Sequence, residues 1–218
     1  NLASDANGFK KALNSTLTEA QRFNAKAINF AAISTGINQT SNSINQLMGT
    51  LSGLTEGYQN AKQAQTQLVT VMRQRMDASD AEIESINGVI KAQTELGVIG
   101  GTVQKRGAQQ VATFLTQKSS LETLIPAMNN LIAQQKGLNA TEEDAYSVAN
   151  LMGKAMQGQT SALRRVGITF TASQEQVMKY GDESQRAAML SQIITDNVGN
   201  MNAELGKTDI GKQKQLEN

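Results

Sequence analysis

Across 218 residues the chain carries 20 Lys and Arg against 19 Asp and Glu, a formal net charge of +1 that offers no field to gather nucleic acid, an acidic substrate or anionic lipid. It has neither Cys nor His, which excludes disulfides, thiolate and imidazole metal ligands, cysteine nucleophiles and His-based triads. Aromatics amount to 4% and Trp is absent, so a core must be built from Leu, Ile, Val, Ala and nine Met beneath a surface rich in Gln and Asn.

A single Pro, at 126, and the near absence of apolar/polar alternation make the 3.6-residue period dominant and predict an all-α fold with little or no β. The expected layout is a long helical arm over 1–57, a compact multi-helix bundle over 58–206, and a linker or the start of a continuation over 207–218. No Met stands at position 1 and the end "GKQKQLEN" carries no helix stop, so a piece of a longer polypeptide is expected. The longest apolar runs, such as "AINFAAI" at 27–33, fall short of the roughly 20 residues a spanning helix needs.

In the arm, Phe23, Phe30, Ile37, Ile44 and Leu51 recur every seven residues, and Ile33, Leu47 and Leu54 occupy the second position of the same heptad. Lys26 and Thr40 interrupt it, and Gly36, Gly49 and Gly53 weaken an isolated helix. The stripe formed by Phe30, Ile33, Ile37, Ile44, Leu47, Leu51 and Leu54 is open to two readings: self-association in a coiled coil, or packing within the chain's own fold.

The bundle should begin with a helix over 58–76 facing inward through Ala61, Ala64, Leu68 and Met72, broken by "MDASDAE". Ser79 with Glu82 has capping-box spacing and opens a second helix whose stripe is Ile83, Ile86 and Ile90, stopping near Gly97. "GVIGG" at 97–101 lacks both the preceding strand and the following Lys-Ser/Thr of a phosphate loop, so it reads as a turn. A helix over 103–116 follows. Ser119 with Glu122 offers a further capping box, ahead of a face made by Leu121, Leu124, Ile125, Met128, Leu131 and Ile132, with Pro126 predicting a kink and Gly137 a C-cap.

"ATEEDAYSVANLMGKAMQG" places acidic residues in a first turn and Ala145, Val148, Ala149, Met152, Ala155 and Met156 on one face, up to a stop at Gly158. A short helix starting at Thr160 or Ser161 runs through Ala162, Leu163 and Arg164 to Gly167, after which Val166, Ile168 and Phe170 alternate as an extended piece. Thr171 with Gln174, or Ser173 with Gln176, caps a helix toward Tyr180, and a last long helix over 183–205 starts near Asp182 and buries Ala187, Leu190, Ile194, Val198 and Met201. Gly158, Thr160, Ser161, Ala162, Leu163, Arg164, Gly167 and Ile168 together read as a packing device that turns the chain between helices.

Candidate chemistry is sparse. Glu142, Glu143 and Asp144 are the densest carboxylates, but a helix N-terminus accounts for them through the macrodipole. Arg164 and Arg165 suit a phosphate or carboxylate, and equally a solvated helix end. Met128, Met152, Met156, Met189 and Met201 fit core filling on the periodic faces better than an adaptable binding surface. No catalytic residue, cofactor, metal or nucleic-acid site is expected.

The string "LMGKAMQGQTSALRRVGITFTASQEQVMKYGDESQRAAMLSQII" at 151–194 resembles a segment shared by tail tape measure proteins of long-tailed phages and prophages. "ATFLTQKSSLETLIPAMNNLIAQQKGLNATEEDA" at 112–145, "LVTVMRQRMDASDAEIESI" at 68–86 and the C-terminal "NVGNMNAELGKTDIGKQKQLEN" are similar to its flanking portions, so the resemblance covers roughly 58–218. It implies a helical structural protein, not an enzyme, that is made in the host cytoplasm, lies in the virion tail lumen and sets tail length by its own length. The implied partners are tail tube and tail assembly proteins, with self-association of several copies in one tube. A helical module of another contractile or secretion apparatus, or a lytic enzyme using acidic residues, would account for the heptad or the carboxylates but not for the 151–194 string.

Overall fold

The computed structural model describes residues 40–217, with side chains from Glu56 onward. Residues 56–217 are 81% helical with no strand, which places them in the all-α class. The chain divides into two compact units, Asn1–Gln59 and Asn60–Asn218. Phe30, Ile33 and Ile37 of the heptad stripe lie outside the described residues, and Ile44, Leu47, Leu51 and Leu54 lie on a helix whose side chains are not described there.

Helix α1 (Thr40–Met76) runs without a break through Gly49, Gly53 and Gly57, so the separate start expected at Tyr58 does not occur. Each glycine costs about 1 kcal/mol relative to Ala in a helix interior but forbids nothing. Its inward stripe is Ala64, Leu68 and Met72; Ala61, expected on that face, is half-buried. Asp77, at φ 50°, ends the run, and the Ala78 N–H donates to the Met72 carbonyl at 3.3 Å. Helix α2 (Asp80–Leu96) opens on the Ser79/Glu82 capping box read from the sequence and buries Ile83, Ile86 and Ile90.

Helix α3 (Gly101–Ala112) is shorter than the expected 103–116. Past Ala112 the chain tightens into i−3 bonds, Phe114 N–H to the Val111 carbonyl and Leu115 N–H to the Ala112 carbonyl, which satisfy helix-end carbonyls without prolonging the helix. Helix α4 (Lys118–Lys136) corrects the Ser119/Glu122 capping box. Its N-cap is Gln117, two residues earlier, which makes no side-chain cap, and the Ser119 carbonyl accepts from Thr123 Oγ1 at 2.9 Å. The capping groups come from far away in sequence: the Glu183 carboxylate accepts the Thr116 N–H at 2.9 Å, the Thr116 hydroxyl at 2.7 Å and the Gln117 N–H at 2.9 Å. Glu122 instead accepts from Ser85 Oγ at 3.0 Å and pairs with Lys118 at 3.1 Å. Helix α4 continues through Pro126.

Helix α5 (Glu142–Met156) carries a Thr141/Asp144 capping box and buries the six residues predicted for its face. A four-residue helix α6 (Ser161–Arg164), α7 (Ala172–Tyr180) and α8 (Glu183–Val198) follow, the last two opened by Thr171/Gln174 and Asp182/Gln185 boxes. The expected single helix over 183–205 is broken. Gly199 stands at φ 66°, outside the helical region, and a separate α9 (Met201–Gly206) begins after it, with Val198 and Met201 only half-buried. Residues 207–218, expected as a linker or the start of a continuation, contain α10 (Asp209–Glu217).

The Asn60–Asn218 unit is organised around α4. It packs most extensively against α8, then α9, α5 and α2, while α3 lies along α5. The α3–α5 pair and its following turn come close because Gly153 lacks a side chain: a Cβ there would stand 2.1 Å from the Phe114 ring. Buried Leu, Ile, Val, Ala and Met from α1 through α8 form one continuous core.

Candidate functional site

The connector singled out by sequence, 158–168, is built from short-range backbone bonds around two left-handed glycines. Gly158 sits at φ 83° and donates to the Ala155 carbonyl at 2.8 Å; Gln159 donates to the Lys154 carbonyl at 3.0 Å. Ala162 and Leu163 then fold back onto the carbonyls of Gln159 and Thr160, each at 3.1 Å. Thr160 precedes α6 in a helical conformation and makes no side-chain cap, and Ser161 is exposed. Gly167, at φ 85°, donates to the Arg164 carbonyl at 3.1 Å, and Ile168 to the Leu163 carbonyl at 3.2 Å, a closure typical of a left-handed helix terminus.

Three side chains seat this connector. Leu163 and Ile168 are both 0% exposed and Ala162 is buried beside them. The piece expected to be extended, 166–170, lies in no strand; Val166 and Gly167 belong to a turn, and beyond it Asn197 Oδ1 accepts the Thr169 N–H at 3.0 Å while Asn197 Nδ2 donates to the Thr169 carbonyl at 3.3 Å. A carboxamide on α8 thus does what a neighbouring strand would do. Gln135 Nε2 of α4 donates to the Val166 carbonyl at 3.2 Å. Arg164 forms an ion pair with Glu175 of α7, and Arg165 is exposed.

The acidic cluster divides by task. Asp144 accepts the Thr141 N–H at 3.0 Å and the Thr141 hydroxyl at 2.7 Å, and pairs with Lys136 at 2.8 Å. Its carboxyl is held below the usual range by Lys136 first and by Thr141 second. Glu142 and Glu143 line a cleft of about 340 Å³ with Asn60, Gln63, Ala64 and Gln67 of α1 and Arg106 of α3. Arg106 is already committed, donating to Gln67 at 3.0 Å and Gln109 at 2.8 Å and lying 5.1 Å from the Tyr146 ring centre. Of the five methionines considered, Met128, Met152 and Met156 are buried in the core, and Met189 and Met201 are half-buried against it.

The sequence reading missed a set of buried amides. Gln104 donates to the Ile99 carbonyl at 2.7 Å and to Thr94 Oγ1 at 2.9 Å, and accepts from Asn129 Nδ2 at 2.8 Å. Asn202 reaches the α2–α3 turn and Asn130. Gln104 and Asn129 are 0% exposed. In a chain where Gln and Asn are everywhere, nothing local marks these four; Gln104 and Asn129 differ from exposed amides only in what packs around them.

Among the described residues, no three His, Cys, Asp or Glu side chains group as a metal site, and no helix is long and apolar enough to cross a membrane. Comparison with protein-family models, with curated proteins and with solved structures returns no match.

Proposed function

We propose that this chain is a portion of a phage tail tape measure protein, a structural component that occupies the tail lumen and sets tail length while the tube assembles. The observation that carries the reading is the long ordered string at 151–194, together with its neighbours at 68–86 and 112–145. The geometry of that string supports it: its glycines and apolar residues turn and seat the chain between α5, α7 and α8, which is structural work. A helical polymer advances 1.5 Å per residue, so its length scales with its sequence. The protein is made in the host cytoplasm and carried in the virion tail, with tube and assembly proteins as partners and further copies of itself along the 30–54 stripe. The Asp144 bonds to Thr141 and Lys136 give that carboxylate a structural task, which weakens the lytic alternative.

Tail length measured by electron microscopy tests the proposal, in phage whose parent gene carries in-frame deletions within 1–57. Shortening in proportion to the residues removed is expected. Tails of unchanged length would remove the measuring role and favour a helical module of another contractile or secretion apparatus. Ile37→Asp with Ile44→Asp should abolish self-association in sedimentation. An unchanged mass with loss of folding would place the stripe inside the chain's own fold.

A further inference from the structure

Fully buried apolar side chains end at Ile194 among the described residues. Beyond Gly199 the buried positions are Asn202, Gly206 and Gly211, while Met201 and Leu205 are only half-buried. The segment 200–217 is therefore held to the bundle by a contact of unusual composition. Asn202, 1% exposed, is its centre. Its Oδ1 accepts the N–H groups of Val98 at 2.8 Å and Ile99 at 3.2 Å, its Nδ2 donates to the Gln93 carbonyl at 3.4 Å, and its own N–H donates to Asn130 Oδ1 at 3.1 Å.

Gly97 makes room for that side chain. A Cβ at 97 would fall 2.2 Å from three atoms of the Asn202 carboxamide, so any larger residue there displaces it. Gly206 lies against the same turn, where a Cβ would meet the Leu96 carbonyl oxygen at 2.6 Å. At the other end, Gly199 joins the segment to α8 with φ 66° and ψ −159°, a conformation essentially restricted to glycine.

We propose that residues 200–217 form a latch that opens from the bundle as a unit about Gly199, with Asn202 as its catch in the α2–α3 turn. Opening removes no fully buried apolar side chain of the latch from the core; it withdraws the half-buried Met201 and Leu205 and exchanges polar bonds for bonds to water, whose net cost is small. It uncovers the backbone N–H groups of Val98 and Ile99, which donate to Asn202 Oδ1 when the latch is shut. Segments of this kind open below the free energy of global unfolding.

Hydrogen exchange read by mass spectrometry on the whole chain tests this. Peptides covering 200–217 and 97–100 should exchange together and faster than those covering 121–133 in α4. Asn202→Ala removes the catch, and Gly97→Ala expels it from the opposite side; each should raise exchange of both segments about tenfold or more while 121–133 stays protected. Combined, the two should add nothing to Asn202→Ala alone, because the methyl at 97 no longer meets a carboxamide. Exchange of 200–217 in step with α4, loss of protection throughout the bundle in either variant, or additive effects in the double variant would each overturn the latch.

Discussion

Helix α4 and the segment 200–217 are held by opposite means. α4 buries eleven residues, among them Leu121, Leu124, Ile125, Met128, Leu131 and Ile132, and touches helices on several sides. The C-terminal segment has a similar number of residues, yet its buried positions are one carboxamide and two glycines. Of its four larger apolar groups, Met201 and Leu205 are half-buried, while Ile210 at 65% and Leu216 at 90% exposure point into water. Helicity is common to both; what differs is the amount of apolar surface each withdraws from water, and that quantity dominates stability.

The comparison is tested most severely in α4. Leu131→Ala should lower unfolding stability by about 3 kcal/mol, read from denaturant unfolding, because it leaves a cavity where surrounding helices cannot collapse. A loss below about 1 kcal/mol would mean that α4 is no better packed than the segment it is compared with.

Gly167→Ala comes next, at about 1 kcal/mol or more of destabilisation, since a residue with a Cβ is strained at positive φ. A Cβ at 167 meets nothing within 4 Å, so the effect isolates backbone strain from crowding. An unaltered melting curve would contradict the left-handed turn that seats Leu163 and Ile168.

Acid should separate the two regions without any substitution. Burial of Glu183 favours its neutral form, but the hydrogen bonds from Thr116 and Gln117 outweigh this and hold its carboxyl below the ordinary range. Asp144 is lowered by Lys136 and Thr141, and Glu82 by Ser79. With folded pKa values depressed, these carboxylates bind protons more readily in the unfolded chain. Their stabilisation is complete above the ordinary carboxylate range near about 4 and is lost as pH falls through it and then through the folded values. Glu183→Gln should flatten that decline in α4, whose N-terminus it caps. A profile unchanged by the substitution would show that the cap contributes little.

The smallest effect belongs to the C-terminal helix: Ile210→Gln and Leu216→Gln should each shift global stability by no more than about 0.5 kcal/mol. A loss above about 1 kcal/mol from either would join α10 to the core and dissolve the contrast.

Much of the fold was legible from neighbours in sequence. The Ser79/Glu82 and Thr171/Gln174 caps, the apolar faces of α2, α4 and α5, and the turn residues Gly158 and Gly167 follow from spacings of three and four and from steric limits on φ. Ser119/Glu122 had the same spacing and failed, because α4 starts ahead of Ser119, Glu183 accepts from Thr116 and Gln117 there, and Glu122 is held by Ser85 and Lys118. The helix expected to run to Leu205 failed at Gly199, a glycine stop of the same kind as Gly158 that the apolar spacing of Ile194, Val198 and Met201 masks; that the backbone there sets Asn202 under the α2–α3 turn is decided by tertiary contacts.

The candidate connector was likewise visible as punctuation, while its partners were not. Asn197 bonding Thr169, and Gln135 bonding Val166, join residues 28 and 31 apart. The sequence by itself determined that the described chain is helical, where most of its helices start, and which faces turn inward, since those follow from interactions within about one turn. Only the tertiary structure decided which of many identical amides are buried and which helix end a distant carboxylate caps, because the burial and partners of a polar group are properties of everything packed around it.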